Sequence, residues 1–185
     1  MATKKTAIAT SSWSDVKTKL ADFDRAGLLG LVQDLYTASK DNKGFLHARF
    51  CLGDDPLKPY KAIITQWINP SDYRKPQSVA KAKKAISDYK KALGRPEGLA
   101  ELSVFYCEEV FEFLAGCGME DEGFYDALVR MFDQALKYVL ALPDVQQPRF
   151  VARRDRVRQL GQNVGWGVGD DFDHFWSEAG LAGAE

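Results

Sequence analysis

Between Leu99 and Leu142 the apolar residues recur at helical spacing on two faces at once. In the first half, Leu99, Leu102, Tyr106, Val110, Phe113 and Cys117 make one stripe, and Val104, Cys107, Phe111 and Leu114 make a second. A narrow polar ridge of Glu101, Glu108, Glu109 and Glu112 is left over. The second half repeats the plan: Phe124, Leu128, Met131, Ala135, Tyr138 and Leu142 on one stripe, Tyr125, Val129, Phe132, Leu136 and Leu140 on the other. Its ridge is Asp126, Arg130, Asp133 and Lys137, spaced so that opposite charges meet one turn apart. An outer helix needs a single apolar stripe, so two stripes predict a pair of helices with neighbours on both sides.

Before this pair, Ser12 and Asp15 read as a helix start with Trp13, Val16 and Leu20 behind them. Asp24 caps a stronger helix, in which Leu28, Leu31, Val32, Leu35 and Tyr36 form the expected buried stripe. Residues 40–43 interrupt it, and Asn42 is the expected cap of a third helix running towards Gly53. Asp55-Pro56 restarts the chain as a helix carrying Tyr60, Ile63, Ile64 and Trp67. Residues 69–77 form the longest irregular connection; Ser78 caps the next helix, Gly94 ends it, and Pro96 opens the central pair. After Pro143, residues 149–163 are helical with Phe150, Val157, Leu160 and Val164 inward. The stretch from Gly165 to Gly169 reads as a loop seating Trp166, and Asp170 caps a last helix with Phe172, Phe175 and Trp176. No strand-like alternation and no internal repeat occurs, so the expectation is an all-α, single-domain stack of seven to eight antiparallel helices, either a bundle or a short solenoid-like array. Residues 12–180 form the helical domain in this reading, with flexible termini at 1–11 and 181–185.

The 185 residues carry a formal charge of -1, from 25 basic and 26 acidic side chains, so no global field selects a nucleic acid or a membrane. The charge is segregated along the chain instead. Residues 74–95 hold eight basic side chains against Asp88 alone, a local +7; residues 96–144 hold eleven acidic against Arg130 and Lys137, a local -9; residues 149–158 return to +4. Two consequences compete. Either the basic segments are a contact surface for an acidic protein or a nucleic acid, or they answer the acidic pair inside the fold. The first predicts binding through Lys43, Arg49, Lys81, Lys84, Lys91 and Arg95. Lysine predominates there, which favours loose attraction over planar bidentate recognition. Cross-copy pairing of basic helices with the acidic ridge would give a charge-held homo-oligomer.

Candidate chemistry is sparse. His47 and Cys51 stand one helical turn apart, but two ligands without a second pair make a poor zinc site. Asp170, Asp171, Asp173 and His174 could serve a metal-dependent hydrolase, although acidic residues also suit a helix's first turn and the calcium-loop spacing is absent. The glutamate ridge lacks the Glu-x-x-His partners of a di-metal bundle. No Walker loop, dinucleotide fingerprint or nucleophile elbow occurs. The expectation is therefore a non-catalytic binding or adaptor module without cofactor or metal. An odd number of cysteines without C-x-x-C spacing, the lack of a secretory leader and the lack of 18 consecutive apolar residues point to a reducing cytoplasm and away from a membrane.

Asp34-Leu35-Tyr36, the run from Ser39 to Phe50, the run from Lys81 to Tyr89, and Asp121 to Tyr125 resemble a family of small, all-helical bacterial cytoplasmic proteins to which no activity is assigned. The resemblance spans about residues 24–166. It implies a helical fold, a bacterial origin and a cytoplasmic site of action, and it transfers no functional residue.

Overall fold

The computed structural model describes residues 12–182 apart from 51 and 54. The expectations for residues 1–11 and 183–185, and the partner role of Cys51, lie outside the described residues. The protein is all-α, with no strand among the described residues. These group into two compact units, one ending at Gly44 and one beginning at Phe45.

The first unit holds α1 (Trp13–Leu20), α2 (Arg25–Ala38) and the start of α3 (Lys40–Arg49). Ser12 and Asp15 form a reciprocal capping box on α1, and the Asp24 carboxylate accepts from Gly27 N at 2.7 Å at the start of α2. Two expectations change here. The Ser39 hydroxyl, not Asn42, receives the first free amide of α3, and the Asn42 amide instead donates back to Leu35 O at 2.7 Å. The α2 stripe is also not buried: neither α1 nor α2 contributes a buried residue.

The second unit contains α4 (Lys58–Ile68), α5 (Val79–Ala92), α6 (Pro96–Gly116), α7 (Glu122–Leu140), a 3₁₀ turn at Asp144–Gln146, α8 (Gln147–Gly161) and α9 (Val168–Glu178). Helix α4 starts two residues later than Asp55-Pro56 suggests: the Asp55 carboxylate caps the turn at Leu57 N, and Pro59 takes the first-turn position where a missing N–H costs nothing. Ser78 caps α5 as expected, and Gly94 leaves it with φ +61°, a conformation that favours glycine.

Helix α6 is the inner layer. It packs on α4 and α5 on one flank and on α7 and α8 on the other, while α9 closes over α7 and α8. The second stripes are inside along most of their length: Val104, Phe111, Phe132 and Leu136 are buried, whereas Leu140, in the last turn of α7, is exposed. At roughly 1.5–3 kcal/mol for each large apolar side chain, burying this extra face matters on the scale of a whole domain's net stability. Close approach of α5 to α6 depends on Gly98, where a Cβ would lie 1.9 Å from Tyr89 Oη. Aromatic contacts tie the layers further, with Phe132 stacked on Phe172 at 3.8 Å between ring centres.

Two end-of-chain expectations are corrected. Helix α9 begins at Val168 with Gly167 (φ +72°) as its boundary residue, so Asp170 sits inside the first turn and does not cap it. Leu160, expected inward, is half exposed on the lip of an open groove with Phe111, Ala115 and Val157.

Candidate interaction surface

Helix α5 turns Ala82, Ala85, Ile86, Tyr89 and Ala92 into the core. That stripe occupies less than half its circumference, so Lys81, Lys83, Lys84, Lys90 and Lys91 must share the solvent face with Ser87 and Asp88. Lys83 and Ser87 lie one turn apart, and Lys90 and Lys91 follow one turn beyond Ser87.

The neighbours of these lysines differ. Lys84 Nζ donates to Asp88 at 2.5 Å, and the Lys81 ammonium lies 3.7 Å from the centre of the Trp67 ring on α4. Lys83, Lys90 and Lys91 are exposed and form no ion pair among the described residues. Arg49, at the end of α3, donates Nη1 to Ala92 O at 3.1 Å, satisfying a carbonyl at the negative end of α5. Arg95 is the boundary residue of α6, three positions beyond that carbonyl. Arg49, Lys91 and Arg95 therefore gather at the carboxyl end of α5, and Lys81 and Lys84 occupy its amino half. Lys43 belongs to the first unit, its ammonium 5.1 Å from the Tyr36 ring centre.

The second basic segment is used internally. From α8, the Arg153 guanidinium donates Nη1 to Glu101 at 2.6 Å and Nε and Nη2 to Glu108 at 2.7 and 2.6 Å. Arg149 pairs with Glu97, and Lys61 of α4 reaches the other Glu101 oxygen at 2.6 Å. Burial acts to raise the Glu101 carboxyl, but the hydrogen bonds from Arg153 and Lys61 outweigh it and hold the group below the usual carboxylate range. Glu109, one position round the ridge, goes the other way: burial raises it, against the Thr65 and Asn69 side chains that favour its charge. An open cleft of about 310 Å³ beside Gly98 is lined by Lys61, Arg95, Arg149, Glu97 and Glu101. Four of these five charges meet in the Lys61–Glu101 and Arg149–Glu97 pairs.

Measured against known protein-family models, curated proteins and solved structures, the chain matches none. Its own geometry is what bears on function.

The acidic end of the chain is equally engaged. Asp173 accepts from Arg158 Nη1 at 2.6 Å and from Gln162 Nε2 at 3.0 Å, while His174 Nε2 stands 3.5 Å from Glu178. Asp170 and Asp171 occupy the first turn of α9, where negative charge is favoured. Among the described residues no group of three or more His, Cys, Asp or Glu side chains is placed to hold a metal ion. No described helix is long and apolar enough to cross a membrane.

Sequence reasoning found the lysine helix by its charge but chose Lys81 and Lys84, which have neighbours, over Lys83 and Lys90, which have no ion-pair partner among the described residues. The signal that separates them is angular: Lys83 and Lys90 lie opposite the Ala85–Ala92 edge of the core stripe. The Lys61 link to Glu101 leaves no trace in the sequence, since the two residues are 40 positions apart.

Proposed function

We propose that this protein is a non-catalytic binding module whose second unit presents the solvent face of α5 to an acidic polypeptide. One observation carries the reading: of the two basic segments, α8 spends Arg149, Arg153 and Arg158 on carboxylates of its own chain, whereas Lys83, Lys90 and Lys91 on α5 have none among the described residues. Unanswered positive charge on a rigid helix attracts an acidic surface and steers its approach. Arg49 and Arg95 extend the charge past the end of the helix, and Lys81 and Lys84 widen it.

An acidic polypeptide suits this face better than a single-stranded nucleic acid, because the solvent face of α5 carries no exposed ring for a base to stack on, and the half-buried Trp67 ring beside it already takes the Lys81 ammonium. Tyr89 is buried against Tyr60, and Tyr73 sits edge-on to Phe113 in a different loop. A charge-held assembly through the α6 ridge is disfavoured, since Glu97, Glu101 and Glu108 already hold cations of their own chain.

The test is binding of a fluorescent polyglutamate peptide to the full chain over a salt titration, beside a Lys83→Glu/Lys90→Glu/Lys91→Glu variant. The expected result is saturable binding that weakens steadily with salt, and at least a ~10-fold loss in the variant with an unchanged melting temperature. Equal binding by variant and wild type would remove α5 as the contact surface. Tighter, variant-sensitive binding to duplex DNA in a parallel arm would transfer the face to a nucleic-acid partner.

A further inference from the structure

Trp166, in the turn between α8 and α9, is held in a backbone conformation that its side chain disfavours. Among the described residues it is the one non-glycine with a positive φ, at 63°, where a bulky side chain is an outlier. Glycine or asparagine would make the same turn at less cost. The indole does not recover that cost by burial. It stacks on Tyr125 at 5.8 Å between ring centres and 16° between planes, yet the residue stays 58 % exposed. Tyr125 beneath it is buried and fixed in place, since its hydroxyl donates to Met119 O at 2.7 Å. A Cβ added at Gly165 or Gly167 would meet no described atom within 4 Å, so the space beside the ring is open.

We propose that the Trp166–Tyr125 platform docks a basic polypeptide segment, with an arginine or lysine head group laid on the open part of the indole. The charge around the platform selects that occupant. Helices α7 and α9 run in the same direction, since Tyr125 meets Trp166 and Phe132 meets Phe172, so their amino ends lie side by side at the platform. Those ends carry Glu120, Asp121, Glu122, Asp170 and Asp171, all exposed and none in an ion pair among the described residues. Residues 116–129 and 159–178 contain no lysine or arginine. Two helix amino ends together supply about one positive charge, which leaves roughly four carboxylates unanswered. A cation is drawn to this end from a distance and gains further over a tryptophan face, whereas an acidic partner is repelled. The lysines of α5 are not among these residues, so the platform and the α5 surface stand or fall separately.

The measurement is fluorescence polarisation of labelled octaarginine titrated with the full chain, at about 50 and 300 mM salt. Wild type is compared with Trp166→Phe, Trp166→Leu and the triple variant Glu120→Gln/Glu122→Gln/Asp171→Asn. Wild type should bind saturably below about 100 µM at the lower salt. Both Trp166 variants keep the net charge and the left-handed backbone, but only phenylalanine keeps an aromatic face. Trp166→Leu should therefore weaken binding roughly 10-fold and Trp166→Phe only about 3-fold, at similar melting temperatures by circular dichroism. The triple variant should lose a further part of the affinity and most of its salt dependence. Polyglutamate binding should be the same in wild type and both Trp166 variants. Octaarginine binding by Trp166→Leu equal to wild type would overturn the proposal, as would the absence of saturable binding up to about 100 µM. Equal losses in Trp166→Phe and Trp166→Leu would reduce the ring to a support for the turn and overturn it too.

Discussion

Arg154 is completely buried, and its three guanidinium nitrogens make no hydrogen bond among the described residues. Its plane lies 3.5 Å from the centre of the Phe132 ring, with Cys107 and Asp133 near enough to act on its charge. Burial pushes the guanidinium down to about 10, more than those two neighbours raise it, so the side chain is still a cation at neutral pH. The drop corresponds to roughly 3 kcal/mol against folding, of which the ring contact returns up to ~2 kcal/mol. Replacing the charge by an apolar chain of similar length should therefore help: Arg154→Met is expected to raise unfolding stability by ~1–3 kcal/mol, read as a higher denaturant midpoint with unchanged slope. Arg154→Lys, which buries a more strongly hydrated cation, should lower it. Above about pH 10 the unfolded chain keeps the proton that the folded one has released, so folding grows more favourable with rising pH and the methionine advantage shrinks there. An advantage that is absent at pH 7 would mean that the charge is compensated in solution. Burial likewise pushes the neighbouring Cys107 thiol up to about 12, leaving it a neutral, unreactive thiol. At this scale the sequence is partly legible. Ser12, Asp24, Ser78 and Gly94 can be read in advance because a cap or an αL stop depends only on a residue and the turn beside it. Asn42 and Asp170 mislead because the first turns of α3 and α9 start from boundaries that the end of α2 and the Gly165–Gly167 turn impose.

Between elements, the strongest polar link is Arg153 of α8 clamped by Glu101 and Glu108 of α6. All three side chains are about two-thirds sheltered or more, so breaking the link leaves carboxylates with little water in exchange. Arg153→Met is expected to cost ~2–4 kcal/mol at pH 7, measured by denaturant unfolding. The pH dependence has a definite sign. Glu101 is held below its ordinary 4.5 in the folded chain, so its contribution is complete above that value and is lost as pH falls through the lower folded one. The gap between wild type and Arg153→Met should narrow progressively as pH falls below 4.5; a gap that stays constant all the way to acid unfolding would show that the clamp acts through packing alone. The α6 and α7 stripes are readable in advance because double-sided periodicity states how many neighbours a helix needs. It does not state which neighbours, and so the pairing of Arg149 with Glu97 and of Arg153 with Glu101, 52 residues apart in each case, is visible only as blocks of opposite charge. The α2 stripe fails as a prediction of burial for the same reason. Periodicity reports that a face wants cover, not what supplies it.

Across the whole molecule, burial is distributed so unevenly that local stability must follow it. Helices α6 and α7 supply most of the core, with Leu102, Val104, Val110, Leu128, Phe132 and Val139 fully enclosed, while α1 and α2 supply none of it. Backbone amides in the middle of α6 and α7 can reach solvent only when the second unit opens as a whole, whereas α2 can open without disturbing any buried contact. Hydrogen exchange followed by mass spectrometry should therefore divide the chain into slow amides in α4 to α9 and fast ones in α1 and α2, with the slowest between Leu102 and Val110 and between Leu128 and Leu136. Amides in the middle of α6 and α7 that exchange as fast as those of α2 would show that the second unit does not open as a whole.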